Sequence, residues 1–201
     1  MTATAAYDIK LVTGPAVEPI TIDEAKLHLR VDAFEDDYTI NSLVKCARQY
    51  VEIVTGLALI TQTWDQYLQD WPCNGEIILR RSPLISVASV NVKDTAGTET
   101  AVASTVYIVD ANQDPPRIVE AYGQTWPSTT LYPASPIRIR FTAGHGATAA
   151  SVPEPLRAAM LLLIGHWFKF REAVLAGNME RLSQELPIGV AHLRANYRMY
   201  A

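Results

Sequence analysis

Cysteine and histidine are scarce in this chain: 201 residues hold Cys46 and Cys73, and His28, His145, His166 and His192. A chain of this length can bury roughly 70% of its unfolded surface, so its core needs no covalent staple. Met1–Ala6 is small and polar with no hydrophobic stretch of a secretory leader. The two cysteines therefore read as free thiols in a reducing cytoplasm, Cys46 as a small core residue of a helix and Cys73 as a turn residue after Trp71-Pro72. No histidine stands four residues from another or beside a cysteine pair, which leaves no metal motif. A basic excess is also missing. Lys and Arg number 17 against 21 Asp and Glu, for a net charge of −4. Domains built to grip nucleic acid usually carry a basic field, so that class is disfavoured. DNA sliding past a weakly charged wall remains compatible. No apolar run reaches the ~20 residues of a membrane span, because His166 and Lys169 interrupt the longest one.

Catalytic patterns are absent as well. The serines lack a nucleophile elbow. Gly144-His145-Gly146 lacks the other glycines and the Lys-Ser/Thr of a phosphate cradle, and reads as a turn leaving a strand. Glu35, Asp36 and Asp37 read as a solvated helix start favoured by the dipole. His166 beside Trp167 reads as a structural histidine. Trp64, Trp71 and Trp126 read as core or interface anchors of a β-rich segment. Nothing assembles a nucleophile, base and oxyanion donor, so no catalytic, metal or cofactor residue is assigned and the expectation is a protein that is not an enzyme.

What the chain has is a change of hydrophobic period. Met1–Glu18 reads as an N-terminal arm with a short extended piece at Ile9–Val12. Thr21 and Glu24 form a capping box for a short helix that runs to about Arg30. The acidic stretch Asp32–Asp37 opens a second helix. Its apolar stripe is Ile40, Leu43, Val44, Ala47, Val51 and Val54, and Gly56 stops it. The period then falls from 3.6 to 2. Strands are expected at Thr61–Leu68, Glu76–Leu79, Leu84–Val92, Thr98–Val102, Val106–Val109, Arg117–Val119 and Ile137–Phe141. Asp94–Gly97 reads as a hairpin-type loop. Asp110–Pro116 and Gln124–Pro136 are long proline-rich loops of the kind that contact partners. Last comes VPEPLRAAMLLLIGHWFKFREAV, residues 152–174, with prolines at a helix start and apolar residues on most faces.

The expected class is α+β. A helical body, residues 19–60 and 150–176, packs two N-terminal helices against the long C-terminal one, and residues 61–149 form an inserted antiparallel β module. Gly177-Asn178 carries helix-stop chemistry, and residues 177–201 form a tail. In that tail Leu186, Ile188, Val190, Leu193 and Tyr197 are apolar and available to bury, while Arg194 and Arg198 add positive charge. The tail either folds back on its own subunit or docks on a partner.

Several stretches, in order along nearly the whole chain, resemble one family. They are PITIDEAKLHLRVD at Pro19–Asp32, the acidic Asp36-Asp37, TGLALITQTW at Thr55–Trp64 and DWP at Asp70–Pro72. SPLISVASV at Ser82–Val90, YIVD at Tyr107–Asp110, TAGHG at Thr142–Gly146, Val152–Val174, and LPIGVAHL at Leu186–Leu193 complete the set. Together they resemble the head–tail connector (adaptor) proteins of tailed bacteriophages and gene transfer agents. The chain departs from the pattern at Asn196, where a proline is familiar before Tyr-Arg, and at Trp167–Glu172, which replaces a more acidic His-aromatic-Glu pattern.

The resemblance implies a structural virion protein assembled in the bacterial host cytoplasm, at the head–tail interface. It implies a homo-oligomeric ring, usually of twelve copies, under the portal protein. That ring would extend the channel for translocating double-stranded DNA without sequence preference, and would dock a stopper or tail terminator protein. No membrane is implied. The tail residues from Leu186 to Arg198 are then the expected partner-binding set. A cytoplasmic ligand- or protein-binding module with a β insertion, and a hydrolase with its site spread over the long loops, are the competing readings.

Overall fold

The structure, a computed structural model, describes residues 7–170. These residues form two compact units. One comprises residues 7–15 and 61–145, the other residues 16–60 and 146–170.

The helical unit begins with α1, Ile22–Leu29. Thr21 caps it as expected: its hydroxyl accepts from the Glu24 N–H at 3.1 Å, and Glu24 Oε2 accepts from the Thr21 N–H at 2.8 Å. Helix α2 spans Asp37–Thr55. Gly56 closes it with φ 80°, and its N–H reaches the Glu52 carbonyl at 3.0 Å. Asp36 stands at the N-cap, but its side chain caps no backbone N–H of the helix; the acidic start favours the helix through its charge. Helix α3 spans Glu154–Lys169, with Pro155 in its first turn. The three helices pack on one another. Ile40, Val44, Ala47 and Val51 of α2 meet Leu156, Ala159, Met160, Leu163 and Ile164 of α3, with Ile20, Ala25, Leu59 and Ile60 completing the core.

Two expectations for this unit are corrected. Cys46 is exposed. It stands two residues after Val44, about 200° round the helix, and so misses the buried stripe. Nor is α3 covered on most sides, since Ala158 and Leu162 are exposed. Trp167 is half-buried: it packs edge-to-face on Tyr50 of α2, ring centroids 6.0 Å apart, at the rim of the core. The remainder of the expected spine, to Ala176, and the Gly177-Asn178 stop lie outside the described residues.

The β unit contains two antiparallel sheets. The larger has the order β1-β2-β8-β4-β5, from strands Tyr7–Thr13, Gln62–Leu68, Ile137–Ala143, Leu84–Lys93 and Glu99–Ala101. The smaller has the order β3-β7-β6, from Glu76–Ile78, Arg117–Glu120 and Tyr107–Asp110. All seven expected strands are present. The eighth, β1, contains the extended piece expected at Ile9–Val12: Tyr7–Thr13 pairs with β2 along the edge of the large sheet. The alternation on β8 separates the faces. Ile137, Ile139, Phe141 and Ala143 are fully buried, while Arg138 and Arg140 point the other way. Gln66, buried on the inner face, donates to the Ile78 carbonyl at 2.8 Å and accepts from the Arg80 N–H at 3.0 Å, which ties the β3 segment to the large sheet.

Candidate functional site

The residues assigned from sequence to partner binding, Leu186, Ile188, Val190, Leu193, Arg194, Tyr197 and Arg198, lie outside the described residues. What the described residues offer is a set of surfaces, and their charge and apolar character decide what each can do.

The arginines of the β unit are the first candidates, because a channel wall would present cations. Register places Asp65 of β2 directly opposite Arg140 of β8. Arg140 grips Asp65 through two hydrogen bonds of 2.8 and 2.7 Å, and Arg138 adds a contact at 3.6 Å. Arg138 also binds Glu99 of β5. The hydrogen bonds from Arg140 hold the Asp65 carboxyl below its usual range against the opposing cost of burial. Arg117 bridges Glu76 at 3.0 Å and Asp110 at 3.1 Å. Arg81 lies over the Trp64 ring, 4.7 Å from its centroid. The outer face of the large sheet is thus a ladder of mutually neutralised charge, not a basic wall. The sequence shows these arginines but not their carboxylate partners, most of which come from strands far away in the chain.

The aromatic residues form the second feature. Trp71 stacks flat on Trp126, centroids 4.6 Å apart and planes 3° apart, and Tyr107 stacks on Trp126 at 6.1 Å. Trp126 is buried. Its ring N–H donates to the Gly75 carbonyl at 3.2 Å, and its backbone N–H donates to Glu120 at 2.8 Å. Gly75 has φ 70°, and a Cβ there would stand 2.6 Å from a Glu120 oxygen, so this approach requires glycine. The start of the long Gln124–Pro136 loop is therefore pinned to the small sheet. Farther on, Leu131 bridges to Asp94, and Ser135 donates its N–H to Gln69 at 3.0 Å. Tyr122 before the loop and Ile108 of the edge strand β6 are fully and half exposed.

The third surface is the α1–α2 corner of the helical unit. Leu27, Phe34 and Tyr38 are 83%, 84% and 85% exposed. Lys26 sits between the two helices. Its Nζ is 2.7 Å from Asp37 Oδ1 and 4.7 Å from the Phe34 ring centroid. Sequence reasoning took this stretch as a solvated acidic helix start and missed its apolar content. The signal was present in Phe34 and Tyr38, two aromatic residues flanking a run of carboxylates.

His166 lies against Phe170, centroids 5.0 Å apart. His145 is half-buried, and burial holds its pKa below the usual value. Among the described residues no group of histidine, cysteine and carboxylate side chains could hold a metal ion. Among them, too, no helix is long and apolar enough to cross a membrane.

No family model matches the chain, and no curated protein matches it. Solved structures do. The chain is similar to one in the neck of an empty gene transfer agent particle computed with C6 symmetry, with TM-score 0.79 and 27% identity. It is similar to one in the neck of a native particle computed with C12 symmetry, with TM-score 0.77 and 26% identity. A chain in the virion of a native particle matches with TM-score 0.76 and 27% identity. Each match covers 96% of this chain and 96% of the other, so the likeness takes in both units and is not confined to one module.

Proposed function

We propose that this chain is a structural neck component of a gene transfer agent or a related tailed-phage particle, and specifically its head–tail connector (adaptor). It acts at the head–tail interface of the virion and catalyses no reaction. The observation that carries this reading is the end-to-end likeness to gene transfer agent neck and virion chains, at 96% coverage in both directions.

In this reading the copies form a ring, and the C6 and C12 symmetry of the similar necks supports that. The ring seats under the portal protein, continues the DNA channel, and presents a face to a stopper or tail terminator. Its contacts are heterologous, one patch of a subunit meeting a different patch of the next, as closed rings require. Leu186, Ile188, Val190, Leu193, Arg194, Tyr197 and Arg198 dock on the portal or on a neighbouring copy. The long loops of the β unit, the second of them anchored by Trp126, meet the stopper or terminator.

The test is the mass of the purified protein with and without its portal, by native mass spectrometry, with negative-stain images of each sample. Ring-shaped particles of a fixed copy number, alone or on the portal, are the expected result. A monomer that ignores the portal at micromolar concentration sinks the proposal.

A further inference from the structure

The α1–α2 corner carries apolar surface that the described residues leave open. Lys26, next to Leu27, meets both the ring of Phe34 and Asp37, which is next to Tyr38, so Lys26 ties the three neighbourhoods together. Three large apolar side chains more than four-fifths exposed in one corner mark a contact surface better than a solvated one. The rim is acidic. Residues 23–38 hold Asp23, Glu24, Asp32, Glu35, Asp36 and Asp37 against Lys26 and Arg30. Lys26 is paired with Asp37, while Asp32 and Glu35 are exposed.

The chain contains the chemical complement of this corner. Residues 186–198 read LPIGVAHLRANYR: five large apolar residues, two arginines and no carboxylate. The arginines directly follow Leu193 and Tyr197, so each charge stands beside an apolar anchor. The described residues end at Phe170, five residues after Gly165, where α3 passes α1: a Cβ on Gly165 would lie 3.5 Å from the ring of His28, the residue after Leu27. Residues 171–185 can then span up to about 50 Å if extended, enough to reach an adjacent copy. An acidic-rimmed apolar patch and a basic apolar segment on one chain are two different, mutually fitting surfaces. Such a pair makes a head-to-tail contact, the kind that closes a ring.

We infer that the α1–α2 corner of one copy, formed by Leu27, Phe34 and Tyr38 within the rim of Asp32 and Glu35, is the receptor for residues 186–198 of the neighbouring copy. The inference rests on the ring reading proposed above and names the contact that holds the ring together.

The full-length chain tests it. Tyr38 is replaced by the photoreactive p-benzoylphenylalanine, and equal amounts of isotope-labelled and unlabelled copies are mixed, alone and with the portal. Native mass spectrometry reports the ring, and irradiation followed by peptide mass mapping reports the contact. Cross-links from position 38 to residues 186–198 of the other isotope are expected wherever rings form. Asp32→Lys with Glu35→Lys lowers their yield about tenfold. Adding Arg194→Glu and Arg198→Glu to the same chain restores it. Cross-links confined to single copies overturn the inference, because the tail then folds back on its own subunit. Rings whose cross-links fall elsewhere, or whose yield ignores the charge swap, overturn it and leave the ring reading intact. Absence of rings with and without portal overturns the ring reading, and this inference with it.

Discussion

The Asp65 carboxylate and the Arg140 guanidinium face each other across β2 and β8 and share two hydrogen bonds of 2.8 and 2.7 Å. The Asp65 side chain is only 5% exposed, so the pair is part of the fold and not a surface ornament. Its hydrogen bonds hold the Asp65 pKa below that of an unfolded chain. A depressed carboxylate pKa contributes stability above the unfolded value and loses it as pH falls through the folded one. The melting temperature should therefore drop below about pH 4, and drop less steeply in Asp65→Asn. At pH 7 Asp65→Ala should cost about 2 kcal/mol, since charged hydrogen bonds are lost. Parallel acid profiles for wild type and Asp65→Asn would show that the pair adds nothing.

Arg48 is the polar centre of the helical unit. It donates to Glu18 at 2.7 Å and to Glu52 at 2.8 Å, and Glu52 in turn accepts from the Leu59 N–H at 3.0 Å. The network fastens the residues on either side of α1 and α2 to one helix face. Arg48→Met leaves the buried Glu52 without its cation and should cost about 3–5 kcal/mol in urea unfolding. A loss below about 1 kcal/mol would mean that the other partners of Glu52, the Leu59 N–H among them, satisfy it without the cation.

Trp167 and Leu163 separate rim from core on α3. Leu163 is fully buried, whereas Trp167 is half-buried against Tyr50. Leu163→Ala should cost about 3 kcal/mol or more, and Trp167→Ala about half as much despite the larger truncation. Thermal or urea melts of the two variants decide this. A greater loss for Trp167→Ala would make the Tyr50–Trp167 contact the main tie between α2 and α3.

Local chemistry was legible in the chain, and long-range pairing was not. Thr21, Glu24 and Gly56 act within a few residues of themselves, so their capping roles can be read directly. β8 alternates strictly because one of its faces is buried, and this sets its boundaries within a residue or two. β1 was legible only as a short extended piece, without its pairing, because an edge strand buries little: Leu11 and Val12 are 42% and 43% exposed, so no clean alternation marks them. The division into two sheets depends on which strands meet, and hydrophobic period says nothing about that. Arg140 and Asp65 stand 75 residues apart, and neither residue alone announces the other. The α1–α2 corner was hidden for a different reason. Carboxylates around Phe34 and Tyr38 signal a solvated helix start, and only the folded chain shows how far the two rings stay exposed.

The same charge ladder sets an expectation for DNA. With Arg117, Arg138 and Arg140 already facing carboxylates, few phosphates can be neutralised at once. Binding to a duplex should be weak, independent of sequence and abolished near physiological salt. Fluorescence anisotropy with two unrelated duplexes across a salt series measures it. Affinity that persists at high salt, or that differs between the duplexes, contradicts a channel-wall role.

Deleting Glu185–Ala201 tests the tail against the core. The helical core of the described residues is closed by Leu156, Met160 and Leu163 of α3 against Ile40, Val44 and Val51 of α2, all at most 3% exposed. These side chains bury one another within the described residues, so the truncated chain should stay folded and soluble, with a melting temperature close to that of the full chain. The deletion also removes every apolar residue and both arginines of the partner-binding set. Complementation with the truncated chain should therefore leave portal-bearing heads without tails, whether the tail grips the portal or the next copy. Unfolding or aggregation of the truncated chain would place the tail in the core of its own subunit. Normal attachment to heads would move the docking surface to the helical unit or the loops of the β unit.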